Sequence, residues 1–221
     1  MVDRDEVLRY LGYRGQHIDE NLDVLINICR KEVIDKSNPR YIYGYFNIES
    51  INDYIDINGT TLKLYGNDIK KHLDGCEKCA ILIVTLGAEI EKEIIYNEKN
   101  NLTKSIILDA CATTYIEEIC DKVEKEIKDY VAKDNLNITT RFSPGYGDLP
   151  LEIQKEVLIV MNANKRIGVN TTEHSILFPR KSVTAIIGIS NKKQENKKRN
   201  CSKCNKYNSC IFRVGGKNCG N

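Results

Sequence analysis

Between Ile106 and Val131 the chain sets Ile116, Ile119, Cys120, Val123 and Ile127 on one stripe at helical spacing, with Glu117, Glu118, Asp121 and Glu124 beside it. A helix this long with a single apolar face has to bury that face against another layer. The flanking sequence supplies one. His17 to Asp35 reads as a second amphipathic helix, with Ile18, Leu22, Leu25, Cys29 and Val33 recurring at the same period and Pro39 beyond its end. "YIYGYFNI" (41–48) is β-branched and aromatic, which predicts a strand. In "YIDINGTTLKL" (54–64), Asn58-Gly59 between alternating runs predicts a hairpin. "AILIVTLG" (80–87) predicts a buried strand turning at Gly87 into a helix, and "SVTAIIGIS" (182–190) a final buried strand. Strands and helices mix without regular βαβ alternation, so the fold class is α+β.

The least regular stretch is "RFSPGYGDLP" (141–150). Pro144 cannot donate a backbone hydrogen bond, and Gly145 and Gly147 favour dihedrals that other residues avoid. A connecting turn explains this string, and so does a ligand loop. Arg141 can grip a carboxylate with two parallel hydrogen bonds. Gly145 lets a ligand approach the main chain, and Tyr146 adds an aromatic face and a hydroxyl. Asp148 reads as the N-cap of the next helix, carried by Ile153, Val157, Val160 and Met161 as far as Gly168. Those groups suit a zwitterionic, amino-acid-like ligand.

With 41% hydrophobic and 29% charged residues over 221 positions, an ordinary soluble core is affordable. The richest apolar run is far short of the roughly 20 residues that span a bilayer. The charged start "MVDRDEVLRY" has no signal-peptide core. Both features point to a cytoplasmic protein with no membrane partner. The composition shifts near residue 190. Residues 191–221 hold nine Lys or Arg against Glu195, a net +8, so the first 190 residues carry −6 of the overall +2. A domain over 1–190 and a basic tail over 191–221 follow.

Four blocks resemble the activation domain of cobalamin-dependent methionine synthase, in the order expected of its short, stand-alone members. They are "LRYLGYRGQ" (8–16), "TLGAEIE" (85–91), "RFSPGYGDLPLEIQ" (141–154) and "FPRKSVTAIIG" (178–188). Within the third, Arg141, Pro144, Gly145 and Tyr146 are similar to the family's "RxxPGY" signature for S-adenosylmethionine. The resemblance implies a single mixed domain with an antiparallel sheet and flanking helices. It also implies a task in the methyltransferase class, as an activation subunit that does not act alone. The cobalt of the client enzyme occasionally oxidises from Co(I) to inactive Co(II). Reactivation couples a one-electron reduction to methylation by S-adenosylmethionine. On this resemblance Arg141 pairs with the methionine carboxylate, Gly145 offers backbone contacts, and Tyr146 meets the ligand or lines the corrin-facing mouth. Glu117, with Glu118 as competitor, holds the amino group or a ribose hydroxyl. Ile187 stands where the large enzymes place a Tyr. No DxHxxG motif is present, so cobalamin belongs to a partner, either methionine synthase or another corrinoid protein.

Nine cysteines, an odd number, argue against a closed disulfide framework. Cys29, Cys111 and Cys120 fall in helical patterns and read as buried, and Cys79 reads as strand packing. Cys201-x2-Cys204-x5-Cys210-x8-Cys219 offers four thiolates, enough for a zinc site or an iron–sulfur cluster; free thiols on a tail are the plain alternative. An iron–sulfur redox carrier is therefore a second functional reading. The tail's basic charge would suit an acidic donor such as flavodoxin. With only Tyr207 and Phe212 as interleaved aromatics, it argues against nucleic acid.

Overall fold

A computed structural model describes residues 2–192. The chain opens with α1 (Arg4–Tyr10) and α2 (Glu20–Lys36), followed by β1 (Arg40–Ile51), β2 (Tyr54–Ile57) and β3 (Lys63–Tyr65). Next come α3 (Asn67–His72), β4 (Lys78–Thr85), α4 (Glu89–Asn100), the 30-residue α5 (Leu102–Val131) and the short β5 (Asn137–Ile138). Beyond the irregular loop lie α6 (Ile153–Val160), α7 (Ala163–Ile167), β6 (Asn170–Thr171), β7 (Leu177–Phe178) and β8 (Ser182–Ser190).

Six strands form one sheet in the order β3-β2-β1-β4-β8-β5, every neighbouring pair antiparallel. This is the α+β architecture that the pattern implies. β4 is central and buried on both faces, which is why its sequence is a continuous apolar run rather than an alternating one. Ala80, Leu82 and Val84 face one core with α1, α2, α4 and α5, while Cys79, Ile81 and Ile83 face a second core with α3, α6 and α7. The long helix lays Ile116, Cys120, Val123 and Ile127 into the first core. Among the described residues no helix is long and apolar enough to cross a membrane.

One local expectation holds through a different turn, and two need correction. The hairpin is present, but Ile57 N–H bonds to Leu62 O across a longer connection. Only Gly59 of the Asn58-Gly59 pair takes a positive φ, so the two-residue turn that needs two such residues does not form. The helix expected from 148 to 168 is two helices, broken where Asn162 adopts the left-handed conformation (φ 51). Asp148, finally, does not cap α6. Its Oδ2 accepts from Asn67 N–H (2.6 Å) and its Oδ1 from Asp68 N–H (2.9 Å), so it caps α3 instead. Those two N–H bonds hold its carboxyl below the usual carboxylate range. Gly66, at φ +134, permits the approach, since a Cβ there would stand 2.5 Å from Asp148 Oδ1.

Candidate functional site

β5 runs alongside only the far end of β8. Phe142 then exchanges two backbone hydrogen bonds with Ile186 (2.9 and 2.8 Å), and the chain leaves the sheet. Past that point, on the side away from β4, no strand among the described residues pairs with β8 at Ser182, Val183 and Thr184, and α5, α6 and the loop wall in a cleft of about 220 Å³. Arg141, Tyr146 and Glu117, three of the expected site residues, line it, with Gln154, Ser182 and Thr184.

Arg141 sits immediately before the departure, so its side chain projects onto α5. Its guanidinium is held there by three carboxylates spaced i, i+4 and i+7, hence on one helix face. Nη2 lies 2.6 Å from Asp121 and 3.3 Å from Glu117, and Nε lies 2.9 Å from Glu124. The side chain is only 15% exposed, and its Nη1 is buried with no hydrogen-bond partner. Beside the guanidinium lies the Cys120 thiol, which burial pushes up to about 12, so it stays protonated. The neighbouring carboxylates are distinguishable by position: Glu118 accepts the Asp3 N–H at 2.7 Å, whereas Glu117 faces the cleft.

The loop itself is internally bonded. Gly145 N–H donates to Leu149 O (2.9 Å), Tyr146 N–H to Ser143 O (3.0 Å) and Leu149 N–H to Tyr146 O (3.0 Å). The Gly145 and Tyr146 amides are thus spent within the loop, so Gly145 has its carbonyl as the main-chain group for a ligand. Gly145 itself takes φ +84. Pro144 and Leu149 are buried as anchors, and Tyr146 stands 56% exposed at the rim. Behind the loop, His72 of α3 places Nε2 2.8 Å from both Thr140 O and Thr139 Oγ1. A carbonyl can only accept, so Nε2–H is a donor. The His72 ring packs on Phe142 (4.9 Å), which meets Tyr146 edge-on (6.2 Å).

Gln154 was not visible as a site residue in the sequence. It is buried, accepts from Thr184 Oγ1 at 2.9 Å and donates to Ser175 O at 2.6 Å, so it ties α6 to β8 at the cleft floor. Its one signal was a polar side chain on a face otherwise set by Val157 and Leu158. Ile187 is fully buried in the helix-side core, away from the cleft. A second, larger cleft of about 550 Å³, bordered by Tyr10, Leu102 and Ile106, contains none of Arg141, Pro144, Gly145, Tyr146 or Glu117.

Cys201, Cys204, Cys210 and Cys219 lie outside the described residues. Among the described ones, no group of three or more His, Cys, Asp or Glu could hold a metal ion. Cys29, Cys79, Cys111 and Cys120 are buried free thiols, as their patterns suggested.

The family of the vitamin B12 dependent methionine synthase activation domain matches residues 32–207. The chain belongs to that family. The crystal structure of the MetH reactivation domain bound to AdoHcy shares the fold of this activation domain, with a TM-score of 0.62 at 15% identity over 85% of this chain and 74% of that one. No curated protein matches the chain.

Proposed function

We propose that this activation domain binds S-adenosylmethionine in the Arg141 cleft and presents its methyl group, in trans, to inactive Co(II) cobalamin on another protein. The observation that carries the reading is that Arg141, whose Nη1 is buried without a hydrogen-bond partner, lines one cleft with Glu117 and Tyr146. A buried donor without a partner costs free energy until something satisfies it. An amino-acid head group fits, its carboxylate to Arg141 and its ammonium or a neighbouring ribose hydroxyl to Glu117. The Gly145 carbonyl offers a main-chain contact, Pro144 fixes the loop, and Tyr146 borders the mouth where the methyl group leaves. The binding of AdoHcy by the structurally similar MetH domain supports the same class of ligand.

Cobalamin, held by the partner, supplies the cobalt that takes up the methyl group together with one electron. This chain binds and orients the donor and shields it from water. The client is methionine synthase or another corrinoid methyltransferase. Cys201, Cys204, Cys210 and Cys219 extend the reading as a zinc or iron–sulfur centre on a basic segment that docks a flavodoxin-like electron donor. Metal analysis of anaerobically prepared protein distinguishes the two centres, and protein without metal would refute both.

Calorimetric titration with S-adenosylmethionine tests the site. Arg141→Ala should lower affinity about 10- to 150-fold, as loss of a charged hydrogen-bond partner does. Arg141→Lys, which keeps the charge but not the fork, should fall between. Equal affinities in folded variants would refute the assignment.

A further inference from the structure

We propose that Asp121 is a built-in competitor for the ligand's carboxylate, holding Arg141 until an α-carboxylate takes its place. The inference rests on the reading of the Arg141 cleft as an S-adenosylmethionine site. Three carboxylates face one guanidinium, an excess of two negative charges, yet no carboxylate is held by both prongs of the fork. Nε meets Glu124, Nη2 is divided between Asp121 and Glu117, and Nη1 meets no acceptor.

The three carboxylates are not equivalent. Glu124 is 27% exposed and Glu117 lines the cleft, whereas Asp121 is 70% exposed on the shortest side chain of the three. Its contact of 2.6 Å is the closest, but an ion pair so open to water contributes little and is readily exchanged. Released from Asp121, the guanidinium can turn Nη1 towards the cleft and offer Nη1 and Nη2 together. An incoming carboxylate then gains the paired, two-bond geometry that Asp121 alone does not make, and Nη1 acquires a partner. Asp121 returns to water, while Glu117 remains beside the same edge to meet the ligand's ammonium. Asp121 thus sets affinity without touching the bound ligand.

The test is calorimetry on the full chain and Asp121→Asn with three ligands: S-adenosylhomocysteine, S-adenosylmethionine and 5′-methylthioadenosine, which lacks the amino-acid carboxylate. Asp121→Asn should bind S-adenosylhomocysteine about two- to five-fold tighter, the range set by an exposed ion pair. S-adenosylmethionine should gain less, because the lost negative charge also weakens the hold on its sulfonium. Methylthioadenosine should be unchanged. Asp121→Ala should repeat the order, which guards against a peculiarity of the amide. Weaker or unchanged S-adenosylhomocysteine binding overturns the proposal, as does an equal gain for methylthioadenosine. Failure of the wild type to bind any of the three would instead remove the site reading, and this inference with it.

Discussion

His72 shows how one side chain ties the loop to its scaffold. Its Nε2–H anchors the carbonyl immediately before Arg141, and burial, its dominant influence, pulls its pKa below the ordinary 6.5, partly offset by the bond to Thr140. The sign of the pH effect follows. Above pH 6.5 His72 is neutral in both states and its contribution is intact. As pH falls below 6.5 the unfolded chain takes up a proton that the folded chain resists, so stability declines. Urea midpoints between about pH 7.5 and 5.5 should therefore drop, and His72→Gln, which keeps a donor for Thr140, should flatten that slope. An identical slope in the variant would place the titration elsewhere. At this scale Arg141, Glu117 and Tyr146 could be read from the sequence as candidates, and the structure brings all three to one cleft. Asp121 and Glu124 were not legible as partners of Arg141, since acidic residues on an amphipathic helix read as a solvated face. Asp148 was misread because capping the next helix is the local default, whereas the amides it binds belong to residues about 80 positions earlier.

The elements around the site meet with little room to spare. On β8, a Cβ at Gly188 would stand 2.6 Å from Cys76 Sγ, 2.9 Å from Leu73 Cδ2 and 3.0 Å from Thr139 Cγ2. Those atoms belong to the segment after α3 and to the root of the loop, and Gly188 N–H bonds Thr139 Oγ1 at 2.8 Å. Gly188→Ala should cost about 1–3 kcal/mol, the usual penalty of overpacking. Because it presses on the loop root, it should also weaken S-adenosylmethionine binding. A denaturation midpoint equal to wild type would contradict this close packing. Strands β4 and β8 and helices α2 and α5 were readable from periodicity because each is long and one-sided or wholly apolar. The break at Asn162 and the longer hairpin turn were not, because both depend on single backbone conformations that composition does not determine.

Across the whole molecule, the antiparallel sheet matters to the site chiefly where it runs out. The cleft exists because β5 is short, the Arg141 side chain reaches across to α5, and the β8 edge beyond Phe142 is left to the loop. On the proposed reading the domain supplies half of a reaction whose other half lies on a partner. The most direct test mixes a partner protein loaded with Co(II) cobalamin, S-adenosylmethionine and a one-electron donor, with and without this protein, and follows the cobalamin absorbance. The account predicts conversion to the methylcobalamin spectrum that is sharply slower when this protein is omitted, and reduced by Tyr146→Ala in a folded variant. Conversion that is equally fast without the protein, across methionine synthase and other corrinoid partners, would contradict it.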